Sequence, residues 1–174
     1  VQALMRAEEI EGWMEPEELR WLSEQAAGRK VIVEIGSYLG RSTMALADAT
    51  PGMVYAVDNF YGPTDGCQVP DRMTIFARFC QNLKDHIAAG KVVAVRADHE
   101  KIDPRSLPIP DMVFIDGDHS YESVKKDIQK WEPELSFGGL FCGHDLDYRF
   151  PGVQQALQEL VPDYKAGPGR IWYR

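Results

Sequence analysis

The chain predicts an α/β fold, a doubly wound and mostly parallel sheet with helices on both faces. Three observations carry this reading. Short β-rich runs recur along the 174 residues, each ending at Gly or Asp. The runs are almost continuously apolar, as strands covered on both faces must be. Between them the apolar residues switch to helical spacing, so strands and helices alternate. A length of 174 residues suits one domain, with a helical segment at 1–28 and a core at 29–174.

The elements follow in order. A helix over Pro16 to Ala27 sets Leu19, Leu22 and Ala26 on one face, with Pro16 in its first turn. The first strand is "VIVEIG" (31–36), and the second is "MVYAVD" (53–58). The Gly- and Pro-rich stretch "NFYGPTDGCQVPDRM" (59–73) reads either as a lid holding Tyr61 over a site or as a plain connection. Met73, Phe76, Cys80, Leu83 and Ile87 then repeat at helical spacing. The strands "KVVAVRAD" (91–98) and "DMVFIDG" (111–117) come next. Ser120 is placed to cap a helix carrying Tyr121, Val124, Ile128 and Trp131. After "GLFCGHD" (139–145), the "PG" at 151–152 opens a helix with Val153, Leu157, Leu160 and Val161, and "GRIWYR" closes the chain as a short strand.

Composition narrows the class of partner. A net charge of -8 disfavours a phosphate-backbone partner, so no nucleic acid is expected. Cys67, Cys80 and Cys142 are odd in number and lack CxxC spacing, which argues against a disulfide framework and a cysteine zinc site. Cys80 and Cys142 sit inside apolar patterns and read as small core residues. No apolar run reaches the ~18 residues of a spanning helix. Glu8, Glu9 and Glu11 interrupt any signal-peptide pattern, and the expected location is the cytoplasm. The expected partner is a small molecule, and a homodimer is compatible with the sequence.

Ligands of such sheets bind beyond the C-terminal ends of the strands, near the switch in strand order. The first strand leads into "EIGSYLGRS" (34–42), where Gly36 and Gly40 permit a tight turn before a helix N-terminus. Glu34 shares a face with Ile32 and is an acid among apolar side chains, so it needs partners. Turn amides or a ligand ammonium would serve. The dinucleotide pattern GxGxxG is absent. Asp58 ends the second strand, 22 residues beyond Gly36, where an acid can accept from both hydroxyls of a ribose. Asp98 could accept from an adenine amino group. Asp also stops strands for its own turn chemistry. Four acids at successive strand ends nevertheless favour a nucleoside.

The ordered set "VEIGSYLGRST", "VYAVDNF", "RAD", "FIDGDHSYE" and "LSFGGLFCGHD" resembles the class I S-adenosylmethionine-dependent methyltransferases. It is similar above all to a small bacterial group with "IDGDHSYE" after the fourth strand and "HD" plus a tyrosine after the fifth, here "GHDLDY" (143–148). The resemblance implies a Rossmann-like sheet of about seven strands whose last, "RIWYR" (170–174), is antiparallel. It places Glu34 and Gly36 by the methionine moiety, Asp58 at the ribose and Ala97 with Asp98 at the adenine. Ser37, Gly40, Ser42, Asn59 and Asp116 complete the implied cofactor set. A cationic sulfonium suits an acidic pocket.

Methyl transfer leaves the protein to position an acceptor and remove its proton. Asp116, Asp118 and His119 follow strand four, and His144 and Asp145 end strand five. One reading makes His119 or His144 the general base, oriented by Asp116 or Asp118. The other follows related O-methyltransferases, in which acids at these two strand ends hold a divalent ion such as Mg²⁺ or Mn²⁺. The ligands would then be Asp116 and Asp145 with His144. That reading meets two difficulties. His is an unusual Mg²⁺ ligand, and strict alternation sends His144 and Asp145 to opposite faces unless the strand stops at Gly143. Asp118 reads better as a helix-capping residue. Tyr38 and Arg41 either line the pocket or face solvent, and His86 and His99 have no evident partner.

The expected activity is methylation of a small molecule, at oxygen rather than nitrogen, on a sugar or natural-product hydroxyl. Two rivals remain open: a nucleoside-binding module without turnover, and a nicotinamide-dependent oxidoreductase on a similar scaffold.

Overall fold

The computed structural model describes residues 6–62 and 72–174. Its helices are α1 (Pro16–Ala26), α2 (Arg41–Ala49), α3 (Arg72–Asn82), α4 (Lys84–Ala88), α5 (Tyr121–Trp131) and α6 (Pro151–Leu160). Its strands are β1 (Val31–Ile35), β2 (Met53–Asp58), β3 (Val92–Arg96), β4 (Met112–Ile115), β5 (Leu140–Gly143), β6 (Lys165–Ala166) and β7 (Trp172–Tyr173). They form one seven-stranded sheet in the order β3-β2-β1-β4-β5-β7-β6. The first five pair in parallel, and β7 runs antiparallel to both neighbours. The chain thus switches direction across the sheet between β1 and β4, where a strand-end crevice opens.

Alternation along the central strands divides the core in two. Ile32, Val54, Ala56, Met112, Phe114 and Cys142 face one side, under Leu19, Leu22 and Ala26 of α1 and the apolar residues of α2 and α3. Val33, Ile35, Val57, Val113, Ile115 and Phe141 face the other, under Val124, Ile128 and Trp131 of α5 and the buried stripe of α6. Helices therefore cover both faces, as the near-continuous apolar runs require.

Several expectations change in detail. The helical pattern from Met73 to Ile87 is two helices, α3 and α4, broken at Leu83. The two-residue strand β6 carries no apolar signal and is exposed. His86 is half-buried and pairs with Asp48 at 2.7 Å, and His99 pairs with Asp127 at 2.7 Å, so both histidines have partners. Cys142 is buried, as expected, and Cys80 packs against the core. Cys67 and the centre of the candidate lid fall outside the described residues. Ser120 caps α5 as its type and place suggest, accepting from the Ser123 amide at 3.3 Å. Among the described residues no helix is long and apolar enough to cross a membrane.

Candidate functional site

A cleft of about 650 Å³ opens at the switch point, along the C-terminal ends of β1, β2 and β4. Its size suits a nucleoside-sized ligand with room for a second molecule. Three non-glycine residues beside it have left-handed backbones: Tyr38 (φ 46°) after β1, Phe60 (φ 57°) after β2 and Asp145 (φ 62°) after β5. Such conformations are costly and gather where surrounding structure holds a site in shape.

The turn after β1 is built around two carboxylates. Asp58 accepts from the Ser37 and Tyr38 amides at 2.8 Å each and from the Phe60 amide at 2.5 Å. One side chain thereby ties the β1 turn to the end of β2 at the cleft wall. Gly36 has φ 86°, and a Cβ there would run into the Asp116 carbonyl, so β1 and β4 can meet at the crevice only through glycine.

Glu34 is fully buried beneath this turn. It accepts from Ser37 Oγ at 2.7 Å and from Ser42 Oγ and Thr43 Oγ1 at 2.5 Å each. Burial drives its pKa up to about 7, although the three hydroxyls pull the other way. Its partners within the protein are therefore hydroxyls, not the turn amides, and it stands behind the residues that line the cleft.

Gly40 has φ 91° and packs against Leu83 and Phe79, so its small size serves helix packing. Ala97 donates its amide to the Asp58 carbonyl at 3.0 Å and, like Gly40, stands outside the cleft lining. Gly36, Ser37, Ser42, Asp58, Asn59, Asp98, Asp116, His119, His144 and Asp145 all line it.

The second half of the site gathers at the ends of β4 and β5. Strand β5 stops at Gly143, and the left-handed turn at Asp145 brings His144 and Asp145 to one place. Alternation therefore does not separate them. His144 Nδ1 lies 3.3 Å from Asp116 Oδ1 and 3.2 Å from Asp145 Oδ1. His144 Nε2 lies 3.1 Å from Glu18 Oε1, close but away from ideal hydrogen-bond direction. His119 Nε2 reaches the other oxygen of Asp145 at 2.8 Å, and its ring stacks on Phe150 with centroids 4.2 Å apart.

These contacts set the charges. Burial alone would lower the His144 pKa, but the charges and hydrogen bonds of Asp116, Asp145 and Glu18 raise it to about 12. His144 is thus an imidazolium among carboxylates in the ligand-free protein, a poor starting state for a base. For His119, burial is likewise outweighed by Asp145 and its acidic neighbours, and its pKa is raised. Burial raises Asp116, whereas two imidazole partners overcome burial at Asp145 and hold it well below the carboxylate range.

Donor atoms of Asp116, His144 and Asp145 all lie within 4.8 Å of one another. That spacing and donor set fit a divalent ion, and a carboxylate behind the far ring nitrogen is a common support for a ligating histidine.

Sequence reasoning did not find Glu18, Arg170 or Trp13. Glu18 had a signal: it stands four residues before Leu22 and eight before Ala26, on the apolar stripe of α1. Arg170 bonds Asp145 at 3.3 Å and the Trp13 carbonyl at 2.5 Å, and Trp13 stacks on Tyr38 with centroids 4.9 Å apart. Only the fold brings these distant segments to the cleft. Arg41 lines the cleft, as one of its two readings has it. Its guanidinium takes the carbonyls of Ala7, Glu8, Ile10 and Met14 at 2.7–3.4 Å and fixes the N-terminal segment as a cleft wall.

Comparisons with known proteins agree with this architecture. Residues 33–146 match a family model described as a methyltransferase domain. The chain is 39% identical over 59 residues to uncharacterized protein R132 of Acanthamoeba polyphaga mimivirus, covering 33% of this chain and 27% of that protein. It is 26% identical over 148 residues to uncharacterized protein y4gI of Sinorhizobium fredii, covering 81% of this chain and 16% of that protein. The chain therefore spans well under a third of the curated relatives it matches.

Among solved structures, CalS11, a TDP-rhamnose 3'-O-methyltransferase of calicheamicin biosynthesis, superposes with TM-score 0.68 at 21% identity, over 89% of this chain and 75% of that one. The O-methyltransferase NovP gives 0.68 at 15%, over 91% and 78%. The S-adenosylhomocysteine-bound methyltransferase PaMTH1 of Podospora anserina gives 0.68 at 16%, over 92% and 78%. At these identities the likeness is one of fold. With the family model spanning residues 33–146, which hold the ends of β1, β2, β4 and β5 at the cleft, the chain belongs to the methyltransferase-domain family, in the class I S-adenosylmethionine-dependent group that its sequence resembles.

Proposed function

We propose that the protein transfers a methyl group from S-adenosylmethionine to a hydroxyl of a small molecule, a sugar or natural product, with His119 as the general base. The observation that carries this reading is the pairing of two half-sites across one cleft: the Asp58-ordered turn on one side, and His119 held by Asp145 on the other.

When bound, the cofactor supplies an activated methyl group on a cationic sulfonium and a good leaving group. The chain's own residues do the rest. Asp58 sits at the strand end where a carboxylate can accept from ribose hydroxyls, and Asp98 stands further along the cleft beyond β3. The cleft's carboxylates favour a cationic ligand. His119 donates Nε2–H to Asp145, which leaves Nδ1 as the ring's acceptor for the hydroxyl proton. His144 holds positive charge between Asp116 and Asp145, which opposes the burial that raises Asp116 and helps to fix both acids beside the acceptor.

The donor cluster favours one further reading. Asp116, His144 and Asp145 would hold a divalent ion, which would lower the acceptor hydroxyl's pKa. The sugar assignment draws support from CalS11, a TDP-rhamnose 3'-O-methyltransferase, and oxygen as the acceptor atom from CalS11 and the O-methyltransferase NovP. A screen of hydroxylated acceptors for the mass gain of one methyl group tests the proposal. Gain at oxygen is expected; gain only at nitrogen, or on none of a broad panel, contradicts it.

A further inference from the structure

We propose that Glu18 is a positioning residue of the reaction centre, holding the ring of His144 so that Nδ1 faces Asp116 and Asp145. Its role, unlike its geometry, rests on the methyl-transfer reading above. Glu18 belongs to α1, outside the residues 33–146 that match the family model. It is 0% exposed, although it is a glutamate in the first turn of a helix, where solvent is the usual environment.

Both of its oxygens are committed. Oε2 accepts from the Glu15 amide at 2.7 Å, and Oε1 accepts from the Arg170 amide at 2.7 Å. The same Oε1 faces Nε2 of His144 at 3.1 Å. The chain makes space for this carboxylate, because a Cβ on Gly169 would run into it.

The approach is off the ideal hydrogen-bond direction, but an ionised carboxylate at this distance can only accept and so favours a facing nitrogen that carries hydrogen. The ring of His144 is 2% exposed and has no solvent with which to choose another orientation. Glu18 therefore favours the ring orientation in which Nε2 faces α1 and Nδ1 meets the strand-end acids. It does so equally for an imidazolium and for a ring whose Nδ1 ligates an ion. A helix cap alone does not require this: Oε2 already serves the Glu15 amide, whereas the approach to His144 uses the other oxygen.

The test uses the whole chain. Ring nitrogen–proton correlations in nitrogen-labelled protein, assigned against His144→Gln, report which nitrogen of His144 carries hydrogen. Hydrogen on Nε2 is expected in the native protein. Glu18→Gln is expected to change the ring pattern and lower kcat by about 10- to 100-fold, with the cofactor KM within about twofold of native. Glu18→Asp is expected to recover part of kcat. A bare Nε2 in the native protein overturns the proposal without any variant having to fold. Native kcat in Glu18→Gln overturns it too, as does a loss that falls on cofactor binding instead of kcat. If the native protein methylates no acceptor, the methyl-transfer reading fails separately, and the change in the His144 ring pattern between native protein and Glu18→Gln still decides whether Glu18 orients the ring.

Discussion

At the residue scale, the cleft depends on carboxylates in unlike surroundings. Glu34 is fully buried, and its pKa rises from 4.5 to about 7 on burial. Its folded form binds a proton more tightly than its unfolded form. The stability it contributes is therefore fully present below about pH 4.5 and lost as pH rises through about 7. Glu34→Gln removes this titration. The stability difference between native protein and variant is expected to change by about 3 kcal/mol across that window, measured by denaturant unfolding at several pH values. A difference that stays flat would mean that Glu34 is not titrating there.

His119 gives a second expectation at this scale. As a base it acts when neutral, and its raised pKa moves that condition upward. The rate should therefore rise with pH through a midpoint above 6.5. His119→Asn should lower kcat by about 10²- to 10⁴-fold while cofactor binding holds. A native rate would remove His119 from the chemistry. For the acid cluster, chelation separates the two readings of His144. If an ion is held there, activity falls and returns on adding Mg²⁺ or Mn²⁺. Full activity after chelation, with no gain on adding either ion, leaves the imidazolium as the only cation between Asp116 and Asp145.

At the element scale, much was legible because parallel strands announce themselves by apolar runs. The ends of β1, β2, β4 and β5 fall within two residues of those read from the sequence, which puts Asp58, Asp116, His144 and Asp145 at strand ends; the roles suggested for them came from the family resemblance as well as from position. The break at Leu83 was not legible, since its side chain continues the apolar spacing and is buried in the same cluster. Nor was β6, whose Lys165 and Ala166 are exposed and held by pairing to β7. Glu34's partners were misjudged for a related reason. Ser42 and Thr43 read as ordinary helix positions, and only the turn into α2 aims their hydroxyls back at β1.

The N-terminal segment is the clearest case of structure supplied by distant contacts. Arg41 takes four of its carbonyls, and charged hydrogen bonds of this kind are each worth about 1.5–3 kcal/mol. Arg41→Met keeps the stem and removes the donors. Faster amide exchange over residues 7–14 is expected, with the sheet's protection little changed. Native protection across that segment would show that the arginine is not its anchor.

At the scale of the whole molecule, the sheet order explains why one cleft collects residues from nearly the full chain. The switch between β1 and β4 opens the crevice, Gly36 lets the two strands approach, and the N- and C-terminal segments close its far side through Trp13, Glu18 and Arg170. The acidic balance of the chain, -8 overall, suits a sulfonium ligand. The most direct measurement is calorimetric titration of S-adenosylhomocysteine into the native protein and into Asp58→Ala. Saturable one-site binding by the native protein, weakened at least about tenfold by loss of the Asp58 carboxylate, is the expected result. No binding by the native protein, or equal affinity in the variant, would contradict the assignment of this cleft to the cofactor.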